Sequence, residues 1–354
     1  MRQRTEDILA MSMVPGLGTV RCGRFIRRTE EPDRQILRSA REMKRSDLFK
    51  REKDFIEGNG ISVIALGDED YPASLENIYA PPVILFCKGN TSSLRSDAVA
   101  IVGSRRCTAY GMRMAEKLAF ELASRGIVVV SGLARGIDTS AHRGALRAGG
   151  STIGVMGGGF RNIFPPEASG MIREMSVKGC VVTEYTSDIS PDRHTFPNRN
   201  RIISGLSRGV IVVEAAGRSG ALITAEFALE QGREVFALPG NADSSMSAGT
   251  NRLIQDGAKL VTRAEDVLEE LGPGPFVLKP AAEAREGGRD DTGIMDVLAE
   301  KGTVHRDDIL DLAGVKDSEL SGYLLELELK GMVESLPGGR YRAIPERSLK
   351  GENL

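Results

Sequence analysis

Seven short apolar runs, at residues 98–102, 127–131, 151–156, 180–184, 209–214, 234–238 and 259–261, recur along the middle of this chain. Longer stretches of helical character separate them, such as 110–125 and 221–232, the latter stopped by Gly232. Several runs are rich in β-branched residues, as strands buried on both faces of a parallel sheet must be. Short strand, long helix, short strand is the signature of repeated βαβ units. The expected fold class is therefore α/β, an extended Rossmann-like, doubly wound parallel sheet spanning residues 89–271.

The flanks have a different texture. Residues 1–88 read as an N-terminal helical domain with a connecting segment, heavily charged from Arg21 to Glu57 and punctuated by Pro72, Pro81 and Pro82. Within it, Val14-Pro15-Gly16-Leu17-Gly18-Thr19 sets a Gly-x-Gly turn between two short helices. Such a turn can grip a DNA phosphate through its backbone N–H groups, or simply permit a tight corner. Residues 272–289 are rich in Gly, Pro and charge, as a linker is. Within 290–345, helices begin near Ile294, Arg306 and Ser318, and Pro337-Gly338-Gly339 then joins two strand-like segments into a hairpin. Three helices followed by a hairpin describe a winged helix, leaving 346–354 as a tail.

With 41% apolar and 27% charged residues, the 354-residue chain has the composition of an ordinary globular protein. Its net charge of −2 leaves any attraction for nucleic acid to a local basic patch. The four cysteines form no Cys-x-x-Cys pair and suit reduced thiols in the cytoplasm. The charged N-terminus (Arg2, Arg4, Glu6, Asp7) does not resemble a secretory leader, and no apolar run is long enough to span a membrane.

The chemistry gathers in loops that follow the strands. Gly103-Ser104-Arg105-Arg106 leads from the first central strand into a helix, whose positive end and the planar Arg105 fork both favour phosphate. Ser131-Gly132-Leu133-Ala134-Arg135-Gly136-Ile137-Asp138 follows the second, with Asp138 placed to cap a helix and His142 four residues on, as if to form a surface pair. Gly157-Gly158-Gly159 precedes Phe160 and Phe164, either of which could stack a base or fill the core. Phe196-Pro197-Asn198-Arg199-Asn200-Arg201 opens a helix, and its two arginines need water or an acidic partner. Ser219 and Gly220 begin another helix and offer an anion-friendly terminus. Glu214 and Glu226 on that segment are candidates for an acid/base pair. No Walker lysine pattern is present, which disfavours nucleotide hydrolysis.

Taken in order, Gly-Ser-Arg, Ser-Gly-Leu-Ala-Arg-Gly-Ile-Asp, the triple glycine, Phe-Pro-x-Arg-Asn-Arg-Ile-Ile-Ser-Gly-Leu-Ser and Pro-Gly-Asn resemble the DNA-processing protein A (DprA/Smf) family. The likeness is close from Ala98 to about Ala264. It implies a non-enzymatic protein without cofactor or metal that binds single-stranded DNA, protects it, and loads RecA recombinase in natural transformation of competent cells. It also implies a homodimer formed through the Rossmann domain and no membrane partner. The DNA-binding residues expected are Gly103, Ser104, Arg105, Arg106, Arg135, Arg199, Asn200, Arg201, Ser219 and Gly220. The alternative is a nucleotide-acting phosphoribohydrolase-like enzyme on a related Rossmann fold. The segment 217–226 resembles that enzyme's loop only faintly, since its leading Pro-Gly-Gly is missing and Ala221 stands where threonine is expected.

Overall fold

A computed structural model describes residues 1–27, 34–272, 294–313, Leu320, 322–324, 327–328, 332–336 and 338–344. It divides into two compact units, Met1–Ala282 and Glu283–Leu354. The first opens with helices α1 (Gln3–Ser12), α2 (Thr19–Ile26), α3 (Arg34–Arg45) and α4 (Asp47–Gly58). Strand β1 (Ser62–Ala65), the short helix α5 (Ala73–Glu76) and strand β2 (Ile84–Gly89) follow. All seven expected strands are then present: β3 (Ala98–Val102), β4 (Val128–Ser131), β5 (Thr152–Val155), β6 (Cys180–Thr183), β7 (Gly209–Val212), β8 (Glu234–Ala237) and β9 (Lys259–Leu260). Between and after them come α6 (Ala109–Ser124), α7 (Ile137–Arg147), α8 (Ala168–Lys178), α9 (Thr195–Gly205), α10 (Gly220–Glu230), α11 (Ala248–Gln255) and α12 (Ala264–Leu271).

The sheet order is β1-β2-β6-β5-β4-β3-β7-β8-β9, parallel from β6 to β9. All five residues of β3 are buried, as a central strand covered on both faces requires. From β3 the chain winds outward one way through β4, β5 and β6, and then the other way through β7, β8 and β9. The reversal leaves a crevice between the carboxyl ends of β3 and β7, where doubly wound sheets bind their ligands.

One boundary moves. Residue 88 lies inside β2, which pairs antiparallel with β6, and β1 pairs with β2 in turn. The sheet therefore begins at Ser62, within the segment read as the helical N-terminal domain. Three apolar residues beside two charged helices and a proline cluster carry too little periodicity to declare a strand. The N-terminal helices are also docked on the sheet. Buried Glu52 of α4 accepts hydrogen bonds from the N–H and hydroxyl of Ser187, in the loop after β6. Phe55 lies under the Arg161 guanidinium, 4.1 Å from its carbon, and Arg161 also pairs with Asp188.

The second unit contains α13 (Ile294–Lys301), β10 (Thr303–His305), α14 (Arg306–Ala313), β11 (Val333–Leu336) and β12 (Arg340–Ala343). The hairpin β11–β12 is where the sequence places it, and β10 adds a third strand to its edge. Ile294, Leu298, Val304, Ile309, Leu324 and Val333 fill its core. Most of the expected third helix, together with the 272–289 linker and the 346–354 tail, lies outside the described residues, apart from Gly272.

Candidate nucleic-acid interface

The crevice at the switch point holds a cavity of about 590 Å³. Gly103, Ser104, Arg105 and Arg106 reach it from the end of β3, and Ser219 and Gly220 from the start of α10. Helix α9 contributes Phe196, Arg199, Asn200 and Ile203, with Arg193 just ahead of it. These four positions of α9 are spaced i, i+3, i+4 and i+7, one face of a helix.

The loops are braced against one another. The Ser104 N–H donates to the Glu214 carbonyl at 2.7 Å, which ties the β3 loop to the end of β7. Thr108 caps α6 by accepting from the Gly111 N–H at 3.2 Å. The buried Glu214 carboxylate accepts from the Thr108 N–H at 2.8 Å and its hydroxyl at 2.5 Å. That makes Glu214 a brace at a helix N-terminus, where negative charge is favoured. Glu226 is exposed on α10, and neither glutamate lines the cavity. The loop after β4 is unusually shaped: Leu133 has φ 57° and Gly136 φ 81°. A Cβ on Gly136 would lie 2.5 Å from the Ser104 carbonyl, so only glycine admits this close approach.

The arginines fall into three environments. Arg105 and Arg106 are exposed at the rim. The Arg105 guanidinium lies 4.9 Å from the centre of the half-buried Phe196 ring, a cation–π arrangement. Phe164, 55% exposed, tilts against Phe196 with ring centres 6.0 Å apart. Arg199 forms the buried floor, donating to the carbonyls of Gly132 (2.6 Å) and Val155, the ends of β4 and β5. Its Nε donates to Asn200 Oδ1 at 3.2 Å, and Asn200 Nδ2 donates to the Gly220 carbonyl at 3.3 Å. Burial lowers the Arg199 guanidinium to about 10, against the pull of Asp138, so it stays charged at neutral pH. Burial likewise raises the Asp138 carboxyl, with Arg199 opposing the shift.

Two expected residues are not brought to the cavity. Arg201 forms a buried bidentate pair with Glu184, at 2.9 and 2.6 Å. Arg135 pairs with Glu167 at 2.5 Å on an exposed surface, a contact that contributes little to stability. Among the lining residues outside the expected set are Arg193, Phe196, Asp138 and Thr224. The helical face that carries Arg199 and Asn200 was the signal for Phe196. Phe160 packs against the core and Arg161 against Phe55, so Phe164 is the exposed aromatic of that loop.

His142 does not pair with Asp138 on a surface. It is fully buried, its Nδ1 2.7 Å from the Thr152 hydroxyl, which itself donates to the Val129 carbonyl. Nδ1 is therefore the protonated nitrogen, and Nε2 faces no hydrogen-bond partner. Burial pulls the imidazole down to about 3 from 6.5. Between those values the unfolded chain binds a proton that the folded chain refuses, so stability falls as pH drops below about 6.5. The melting temperature of His142→Gln is expected to decline less over this window than that of the unaltered protein. Parallel declines would remove His142 as a cause.

Residues 62–272 match the model of the family described as DNA recombination-mediator protein A, and residues 279–339 match the DprA winged helix domain. A DNA processing protein DprA of Bacillus subtilis (strain 168) is 46% identical over 213 residues, 60% of this chain and 72% of that protein. The structure of DNA processing protein A from Streptococcus pneumoniae superposes with a TM-score of 0.69 at 38% identity, covering 77% of this chain and all of that one. DNA processing protein A from Helicobacter pylori, solved for its unique single-stranded DNA binding mode, gives a TM-score of 0.54 at 32% identity over 60% of this chain and 97% of that one. With its switch-point cavity, extended sheet and winged helix, the chain belongs to the DNA recombination-mediator protein A (DprA/Smf) family.

Proposed function

We propose that this protein binds single-stranded DNA in the switch-point cavity, protects it, and passes it to RecA recombinase in the cytoplasm, acting as a homodimer through its Rossmann domain. The observation that carries the reading is the pairing of rim arginines with an aromatic platform. Arg105, Arg106 and Arg193 take phosphates, while Phe196 and the exposed Phe164 offer ring faces to bases. Stacking of this kind contributes about 1–3 kcal/mol per base and tolerates any sequence. A duplex hides its base faces, so the platform favours a single strand. Ser219 and Gly220 add the N-terminus of α10 to the same wall. Arg199 and Asn200 shape the floor rather than meet a phosphate. Fluorescence anisotropy with a labelled oligonucleotide and its duplex tests this across a salt series. The single strand should bind more tightly, with affinity falling by about 0.7 log units per log of salt for each phosphate neutralised. Equal, salt-insensitive affinity for both forms would defeat the reading.

The protein acts without catalysis of its own on this account. The glutamate pair that an enzyme would need is divided between a helix brace and an exposed surface. Among the described residues, no cluster suits a metal ion and no helix is long and apolar enough to cross a membrane.

The winged helix plays a lesser part in DNA binding. From Arg289 to Ile344, twelve Asp/Glu stand against seven Lys/Arg, the reverse of what a DNA-reading domain carries. A chain ending at Gly288 is expected to keep most of its single-strand affinity in the same assay. A loss of about tenfold or more would assign this domain a share of the DNA contact.

A further inference from the structure

Helix α3 is two-faced. Ile36 and Ala40 are buried, and Met43 packs beside them, against α1 and α4. The opposite face presents Arg34, Arg38, Arg41 and Arg45, all exposed and spaced i, i+4, i+7 and i+11. At about 1.5 Å per residue they form a stripe roughly 16 Å long, with neighbours about 5–6 Å apart. Among the described residues, nearby acids are engaged elsewhere: Lys44 and Lys53 hold Glu6, Lys44 also holds Asp7, and Lys50 holds Asp47. Glu42 pairs with Arg38 in an exposed contact that a phosphate can displace.

We infer that this arginine stripe is a second track for the sugar–phosphate backbone of DNA, taking the part of a strand that extends beyond the cavity. The inference rests on the proposed function of the cavity. Its placement supports DNA over an anionic membrane or an acidic protein. Helix α4, which packs on α3, docks through Glu52 onto Ser187, in the same loop that leads past Arg193 to Phe196. The loop that brings Arg193 to the cavity is thus tied through α4 to the helix that carries the stripe. The helix has no aromatic residue, so the grip is electrostatic, without stacking, and indifferent to base identity.

The test compares a short oligonucleotide of about six nucleotides, which the cavity alone accommodates, with one of about forty. Changing Arg34, Arg38, Arg41 and Arg45 together to Gln should weaken the long strand about tenfold or more and reduce its salt slope by up to about 2.8, leaving the short strand unchanged. The corresponding Lys variant should restore long-strand binding, since charge is what matters. Unchanged affinity and slope for the long strand would overturn the inference, as would loss of binding to phosphatidylserine vesicles with DNA binding intact. Arg105→Ala separates the two ideas, because it should weaken both lengths. If it weakens neither while the stripe variant does, the cavity reading fails and the stripe stands.

Discussion

Arg199→Ala should destabilise the protein by about 3–5 kcal/mol, the cost of removing one partner from a buried charged cluster. Asp138 would keep its burial and lose its counter-charge, and the carbonyls of Gly132 and Val155 would lose their donor. Against a total stability of about 5–15 kcal/mol, that is enough to lower the folded fraction at physiological temperature. Lysine is a poor substitute, because one ammonium cannot keep both carbonyls and also the Nε contact to Asn200. Urea unfolding reads the effect directly. A variant of unaltered stability that no longer binds DNA would mean that Arg199 meets a phosphate.

Arg105→Ala should do the reverse. The side chain is exposed, so stability should change by no more than about 0.5 kcal/mol. Single-strand affinity should fall about tenfold to a hundredfold at moderate salt, with the slope reduced by about 0.7. The change removes a phosphate fork and also the cation that covers the Phe196 ring. Intact affinity with an intact salt slope would place the strand elsewhere.

The contrast between these arginines shows where sequence reading reaches and where it stops. The parallel strands were legible because each is an unbroken apolar run, and β3 is buried along its whole length. The loops after them were legible through glycines and arginines that packing alone does not call for. Grouping Arg199 with Arg201 failed on helical geometry. Residues two apart on a helix point to different sides, so Arg201 turns to Glu184 while Arg199 faces the cavity with Phe196, Asn200 and Ile203. Other features depend on contacts across the fold. Thr108 meets Glu214 and Arg135 meets Glu167 only because distant strands end side by side. Nothing in the spacing of Asp138 and His142 reveals that the histidine turns inward to Thr152.

On the proposed function, a single strand lies in the switch-point cavity with its bases against the Phe196–Phe164 pair. Photocrosslinking tests it most directly, with an oligonucleotide carrying 5-iodouracil and the adduct located by mass spectrometry. Adducts are expected on peptides containing Phe196 or Phe164, abolished by an excess of unlabelled single strand and reduced in Phe196→Ala. Adducts confined to the winged helix, or to any surface away from the cavity, would contradict it.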